Sequence, residues 1–346
     1  MTKVYAANPN TYIPSPEATG AMRVEYTRNP IAFMLSQYVE YRKVTNDTGC
    51  YLNIDDEEAA RIISSTADDI IWPDGNDAPS GNANKVGFEF LAFATKRYNI
   101  AFNIGRKAKD QAVWDILAMH ARIYAQRMMT VRTVLALAKL TTAGNWGANT
   151  GDVDTNITGN TGKWDVSTSS RADIQRSIMW GLEKIELATL GAVSRNDVGI
   201  VMSPGCGRKV AASSEYKSWL ERSPFAMDQV KGKTGRWSGY GLADQLFGVD
   251  VMIESTVKVT NKKGATRAAS YALADSTPFL TKRPGSIEPA GEGPTFSPCT
   301  LFIYEDFTVE QKDDPDNRRS MGRIVDDIAV ELTAPAAGFL FTDATS

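Results

Sequence analysis

The chain has 346 residues, of which 42% are hydrophobic and 23% charged, and its formal net charge is −3. That is ordinary globular composition with length for about two domains, and the near-neutral balance gives no drive to bind nucleic acid in bulk. Cys50, Cys206 and Cys299 lie far apart and outside any CxxC pattern, which fits a reducing compartment better than a disulfide scaffold.

The opening, MTKVYAANPNTYIPSPEATG, lacks the apolar centre of a secretory signal, and no apolar run approaches the ~20 residues of a membrane helix. A soluble protein made in a cytoplasm is expected, with no membrane partner. Residues 1–45 begin as an irregular arm containing Pro9, Pro14 and Pro16, which cannot bury much of itself and is expected to pack on another subunit. Within it, Ile31–Arg42 follows Asn29-Pro30 and reads as a short helix.

Between Tyr51 and Phe90, Asp55, Asp56, Glu57, Glu58, Asp68, Asp69, Asp74, Asp77 and Glu89 face only Arg61 and Lys85. The stretch IWPDGNDAPSGNANK is dense in turn formers, so this segment reads as a long hairpin-like excursion. The sign then reverses: Lys96, Arg97, Arg106, Lys107, Lys109, Arg122, Arg127, Arg132 and Lys139 face only Asp110 and Asp115. An acidic loop cannot easily fold back along its own stem, but it can reach a neighbouring copy, where such complementarity orients docking.

TKRYNIAFNIG alternates through Tyr98, Ile100, Phe102 and Ile104, the period of a strand. From Asp110 to Leu140 there is neither Gly nor Pro, which predicts one helix roughly 46 Å long. The single histidine, His120, falls on the apolar face of that helix with Val113, Leu117, Tyr124, Val131 and Leu135. It reads as a packed or interfacial residue, and a His-dependent catalytic or zinc site could rest on no other. The same phase places Arg127 beside His120, where a buried arginine would need a partner from another subunit or domain.

Residues 143–170, rich in Gly, Asn, Thr and Asp, read as a linker or surface loop. A second helix over 170–190 carries Ile174, Ile178, Leu182 and Ile185 on one face. VGIVMSPG then reads as a strand, Val210–Leu220 as a helix, LADQLFG as a short helix turning into the strand VDVMIES, and ASYALADSTPFL as a further strand. This order over 171–282 predicts a compact α/β unit. Two closing strands, TLFIYEDFTVEQ and IVDDIAVELTAP, flank the turn DDPDNRR.

Three motifs resemble ligand sites and fail. KGKTGR (231–236) has Met227 where a phosphate loop requires glycine. SPGCGRK (203–209) has Val210 at the third glycine of a dinucleotide turn, and Ser203 as a helix cap explains it without a ligand. Asp152, Asp154 and Asn156 begin a calcium-loop spacing, but Ile157 and Lys163 replace the required Gly and Glu. Paired carboxylates such as Asp55/Asp56 and Asp326/Asp327 read as solvated faces. No cofactor, metal or catalytic residue is assigned.

Taken in order, these segments resemble the major capsid protein of a tailed bacteriophage with the HK97-type fold. The resemblance implies an α+β chain with an N-terminal arm (1–45), an extended E-loop (46–97), a peripheral domain with a long spine helix (98–170 and 296–346) and an axial α/β domain (171–295). It implies a structural protein, not an enzyme, that self-assembles as hexamers and pentamers into an icosahedral shell around double-stranded DNA, contacted non-specifically. The location implied is the virion capsid, assembled in the host cytoplasm. Asp55, Asp56, Glu57, Glu58, Asp68, Asp69, Lys96, Arg97, Arg106, Lys107, Lys109 and Arg127 are then the candidates for contacts between subunits. Members often carry a scaffolding segment of ~100 residues, and none fits before Tyr51, so a separate scaffolding protein is expected besides a portal, unless the segment has been removed; a decoration protein is compatible. An encapsulin-like compartment shell is the alternative with the same fold, and a nucleotide-binding enzyme over 171–282 is the alternative of another class.

Overall fold

The computed structural model describes residues 33–54, 88–112, 116–222, 241–262, 264–284 and 297–346. Most of the arm, the acidic tract 55–87 and the KGKTGR motif lie outside them.

The stem is a four-stranded sheet in the order β1-β12-β13-β4. Its centre is the long antiparallel pair β12 (Cys299–Asp314) and β13 (Arg319–Leu332), joined by the predicted DDPDNRR turn. β4 (Lys96–Gly105) pairs antiparallel with β13, while β1 (Glu40–Lys43) adds in parallel to the first residues of β12. A separate ladder of β2 (Thr48–Ile54) and β3 (Phe88–Ala94) extends from this sheet. It is anchored by Phe93 stacked on Phe302 at 4.2 Å.

The expected single helix is two. α1 (Arg106–Gln111) ends at Ala112, which has an extended ψ of 136°, and α2 (Ile116–Leu140) follows with 25 residues, roughly 37 Å at 1.5 Å per residue. Packing overrides propensity here. Ala108 and Ile116 both cover Phe102 and Ile104, and eight residues of straight helix would hold them about 12 Å apart. The extended residue brings both onto one patch.

The second sheet has six strands in the order β5-β14-β11-β6-β8-β7. Its centre is β6 (Val198–Met202), parallel to β8 (Val249–Ile253) and antiparallel to β11 (Phe279–Lys282). β6 is buried at every position, because Ile200 and Met202 face one core and Val201 the other, and this accounts for its unbroken apolar run. α3 (Asp173–Ala188) covers one face with Ile174, Ile178, Leu182 and Ile185, as its spacing predicts. Each fully buried aliphatic or aromatic side chain there contributes about 1.5–3 kcal/mol.

Several local readings are corrected. The expected helix over 31–42 is a 3-10 turn at Leu35–Gln37 followed by β1. The helix placed over 210–220 is α4 (Pro204–Ala212) and α5 (Ser214–Arg222), separated by the extended Ser213, whose hydroxyl accepts the N–H of Tyr216. No helix forms at LADQLFG: β7 (Gln245–Leu246) and β8 make a tight hairpin through Phe247 and Gly248, both at positive φ, with Leu246 and Val249 buried opposite each other. ASYALADSTPFL holds two strands, β10 (Ala269–Tyr271) and β11, and β10 pairs with β9 (Val257–Val259).

Residues 143–170 are not a linker. They contribute β5 (Thr150–Asp152) and the buried Trp146 and Trp164. β5 pairs with β14 (Gly338–Thr342), and both join the six-stranded sheet, which therefore draws strands from outside 171–295.

One core joins the sheets. Val201, Met252, Phe279 and Leu340 of the six-stranded sheet pack with Leu301, Ile303 and Ile328 of the stem, Leu137 and Leu140 of α2, and Leu35 and Tyr38. At this seam the Tyr38 hydroxyl donates to Glu254 at 2.8 Å, and the second oxygen of Glu254 accepts the N–H of Thr256.

Candidate assembly surface

The motifs that resembled ligand sites are occupied by structural contacts. Ser203 caps α4, its hydroxyl accepting the N–H of Cys206 at 3.0 Å, and a Cβ on Gly205 would collide with the Asp275 carboxylate. The glycines of SPGCGRK therefore serve packing. Burial pushes the Cys206 thiol well above its ordinary range and that of Cys299 up to about 12, so neither is a ready nucleophile. Asp152 closes an Asx turn on the N–H groups of Asp154 and Thr155. His120 stacks with Phe102 and Tyr124, and its Nδ1 lies 2.9 Å from the Ile116 carbonyl. Among the described residues, no three His, Cys, Asp or Glu side chains converge to hold a metal ion.

The basic stem is where the candidate contact residues cluster, and the structure divides them. Arg97 sits opposite Asp327 in the β4–β13 register and pairs with it at 3.3 Å. Arg106 pairs with Asp110 at 3.7 Å, and the ammonium of Lys109 lies 3.5 Å from the Ser320 hydroxyl. Lys139 pairs with Glu331 at 2.9 Å. Lys96, Lys107 and Arg127 are exposed, and among the described residues none has a carboxylate within ion-pair distance. Asp55, Asp56, Glu57, Glu58, Asp68 and Asp69 lie outside the described residues.

Two expectations fail together. Arg127 is exposed, and the buried arginine of α2 is Arg132 at 4% exposure. The covered residues of the helix form two adjacent rows, Ile116, Met128, Arg132, Ala136 and Leu140, and Thr133 and Leu137, each advancing in fours. Each four-residue step turns 40° past a full revolution, so the sheet crosses the helix obliquely. A seven-residue spacing from His120 therefore leaves the stripe. Asp326 and Asp327, expected on a solvated face, are 0% and 5% exposed, because they are the partners the stem cations require.

Arg132 forks onto Asp326, with Nε–Oδ2 at 2.7 Å and Nη2–Oδ1 at 2.6 Å, reaches Asp306 at 2.7 Å, and lies over the Phe307 ring at 4.8 Å. Burial opposes its charge, but these carboxylates outweigh it and raise the guanidinium pKa. Burial likewise opposes ionisation of Asp306, yet Arg132 holds that carboxyl below the usual range. Burial pushes the nearby Tyr41 phenol up to about 12, with Arg132 pulling the other way. This cluster sits where the β12–β13 register shifts, between Ile303 and Thr308, so Arg132 fastens the helix to the irregular point of the ribbon. Composition offered one signal for it, an arginine four residues from Met128 and from Ala136 in the covered stripe.

No protein-family model and no curated protein matches this sequence. Solved structures do. A phage-related protein from Bordetella bronchiseptica aligns with a TM-score of 0.62 and 13% identity, over 92% of this chain and 94% of that one. The mature capsid of bacteriophage PhiM1 aligns at 0.59 and 10%, over 99% and 96%. The SrpI encapsulin from Synechococcus elongatus PCC 7942 aligns at 0.53 and 9%, over 95% and 93%. Aligning along almost the full length of such chains, this protein has the HK97-type capsid fold.

Proposed function

We propose that this chain is a structural major capsid protein of a tailed-phage-type particle, self-assembling as hexamers and pentamers into an icosahedral shell around double-stranded DNA. The observation that carries the reading is the match of fold over 99% of the chain to a subunit of a phage capsid. Residues 1–45 are the arm, 46–97 the E-loop, 98–170 and 296–346 the peripheral domain, and 171–295 the axial domain. β5 and β14 tie the last two together. The acidic residues Asp55, Asp56, Glu57, Glu58, Asp68 and Asp69 contact a neighbouring copy. Lys96, Lys107, Lys109 and Arg127 are the stem cations left for contacts between copies, since Arg97 and Arg106 are already paired within the chain.

The role is mechanical, with no catalytic step, and many weak contacts per subunit supply the strength of the shell. Its place is the virion capsid, assembled in the host cytoplasm with a separate scaffolding protein and a portal. The encapsulin match supports a second reading, a compartment shell enclosing a protein cargo. Negative-stain microscopy of the chain, expressed with and without its genomic neighbours, tests both. Closed shells or hexameric rings are expected, with nucleic acid inside in the first reading and protein in the second. A monomer under all conditions refutes both.

A further inference from the structure

Between Thr256 and Ala272 the chain leaves the six-stranded sheet as the β9–β10 hairpin. Lys258, Lys262, Lys263 and Arg267 all fall in this stretch, and it contains no acidic residue. Its register pairs Val257 with Tyr271 and Val259 with Ala269, so these four side chains share one face. Val257, Val259 and Tyr271 remain 45%, 52% and 37% exposed there. Asn261 organises the tip: its amide nitrogen donates to the carbonyls of Lys262 and Ala265, and its oxygen accepts the N–H of Ala268. Lys262 and Arg267 are exposed on that tip, and among the described residues neither has a carboxylate in ion-pair distance; Lys258, opposite Ser270, points to the other face of the ribbon. An isolated two-stranded ribbon is marginal in water, and one with an uncovered apolar face gains by being covered.

We propose that this hairpin is a docking surface for residues 55–72 of a second copy of the chain. The inference rests on the shell reading and names the surface that its acidic loop engages. A polyphosphate partner would satisfy the cations but leave the two valines in water; the occupant must carry carboxylates and aliphatic side chains together. DDEEAARIISSTADDIIW has six carboxylates against one arginine, interleaved with Ile62, Ile63, Ile70 and Ile71. The β2–β3 ladder is held to the stem sheet at Phe93 and Tyr51, and its six steps set Ile54 and Phe88, the ends from which that segment departs, about 20 Å along the ladder from Thr48 and Ala94. A loop of one copy on the hairpin of the next is a head-to-tail contact, the kind that closes into rings.

The test combines three charge-reversal variants of the full chain, co-expressed with its genomic neighbours and scored by shell yield. K262E/R267E and D55K/D56K/E57K/E58K should each reduce the yield at least tenfold, and the combined variant should recover most of it. Shells of normal yield from the hairpin variant overturn the proposal while leaving the shell reading intact. Normal shells that have lost their nucleic acid overturn it in favour of a nucleic-acid role. Failure of the unmodified chain to form any shell or ring instead refutes the reading beneath it. Independently of folding losses, A60C with A269C in a Cys50→Ser background should give a reducible ladder of linked chains under mild oxidation. An intrachain bridge, or none, overturns the assignment.

Discussion

Replacing Arg132 by methionine removes the charge that fastens α2 to the stem and leaves the aliphatic volume. Asp326 is fully buried and receives two hydrogen bonds from that guanidinium. Without it a carboxylate stands unpaired in the interior, a loss of about 3–5 kcal/mol. Asp306, half exposed, turns to water and adds little. The assay is urea unfolding of the unassembled subunit, in which a slope of about 3 kcal/mol/M would lower the midpoint by about 1–1.7 M. Removing both buried partners with R132M/D326L should restore stability to within about 1–2 kcal/mol of the original, since a well-packed apolar pair often substitutes for a buried ion pair. R132K keeps the charge but not the fork, and should fall between. A loss below about 1 kcal/mol for R132M, or a double variant no better than the single, would refute the assignment of this cluster as the fastening of the spine helix.

Acid should act partly through the same cluster. The Asp306 carboxyl is held below its ordinary value by Arg132, so its contribution is fully present above about pH 4, the unfolded value, and is lost as pH falls through the lower folded one. The stability gap between the native chain and D306N should therefore narrow as pH drops below 4; a gap independent of pH contradicts this. Thiol labelling with a chromogenic disulfide should modify one cysteine per unassembled native subunit, the exposed Cys50, and three in urea, because Cys206 and Cys299 are buried with raised thiol pKa values. Two fast-reacting thiols in the native state would refute that burial. Y38F should cost about 1–3 kcal/mol by leaving a buried oxygen of Glu254 without its donor, read as a lowered unfolding midpoint; an unchanged midpoint would remove the Tyr38–Glu254 bond as a seam between the sheets.

Elements whose own residues decide them were legible. β4 alternates, α3 keeps Ile174, Ile178, Leu182 and Ile185 in phase, and the DDPDNRR turn separates two long strands. Where the deciding group is distant, the local pattern misleads. The break at Ala112 follows from Phe102 and Ile104, and no residue near it disfavours helix. Phe247 in a tight turn is unfavourable locally, and holds because Leu246 and Val249 are buried beside it. Residues 143–170 look like a linker by composition, yet two tryptophans make them part of the core.

The charges of the stem were legible in the sequence, but not which of them pair within the chain. Charges counted along the chain make the stem look like one basic surface, whereas charges felt in the fold depend on what lies across the sheet. Asp326, Asp327 and Glu331 arrive from β13, some 190 to 230 residues away in sequence, and engage Arg132, Arg97 and Lys139 respectively. Salt bridges made within the subunit are present before any neighbour arrives, so they add nothing to the attraction between copies. The cations that can steer a neighbour are those without such partners. In the β9–β10 hairpin Lys262 and Arg267 at the tip adjoin the uncovered face of Val257, Val259 and Tyr271, so the electrostatic term that orients an encounter and the burial term that holds it would act side by side. The stem offers the same sign of charge without that second term, and this difference is the reason the hairpin is the surface proposed for the acidic loop.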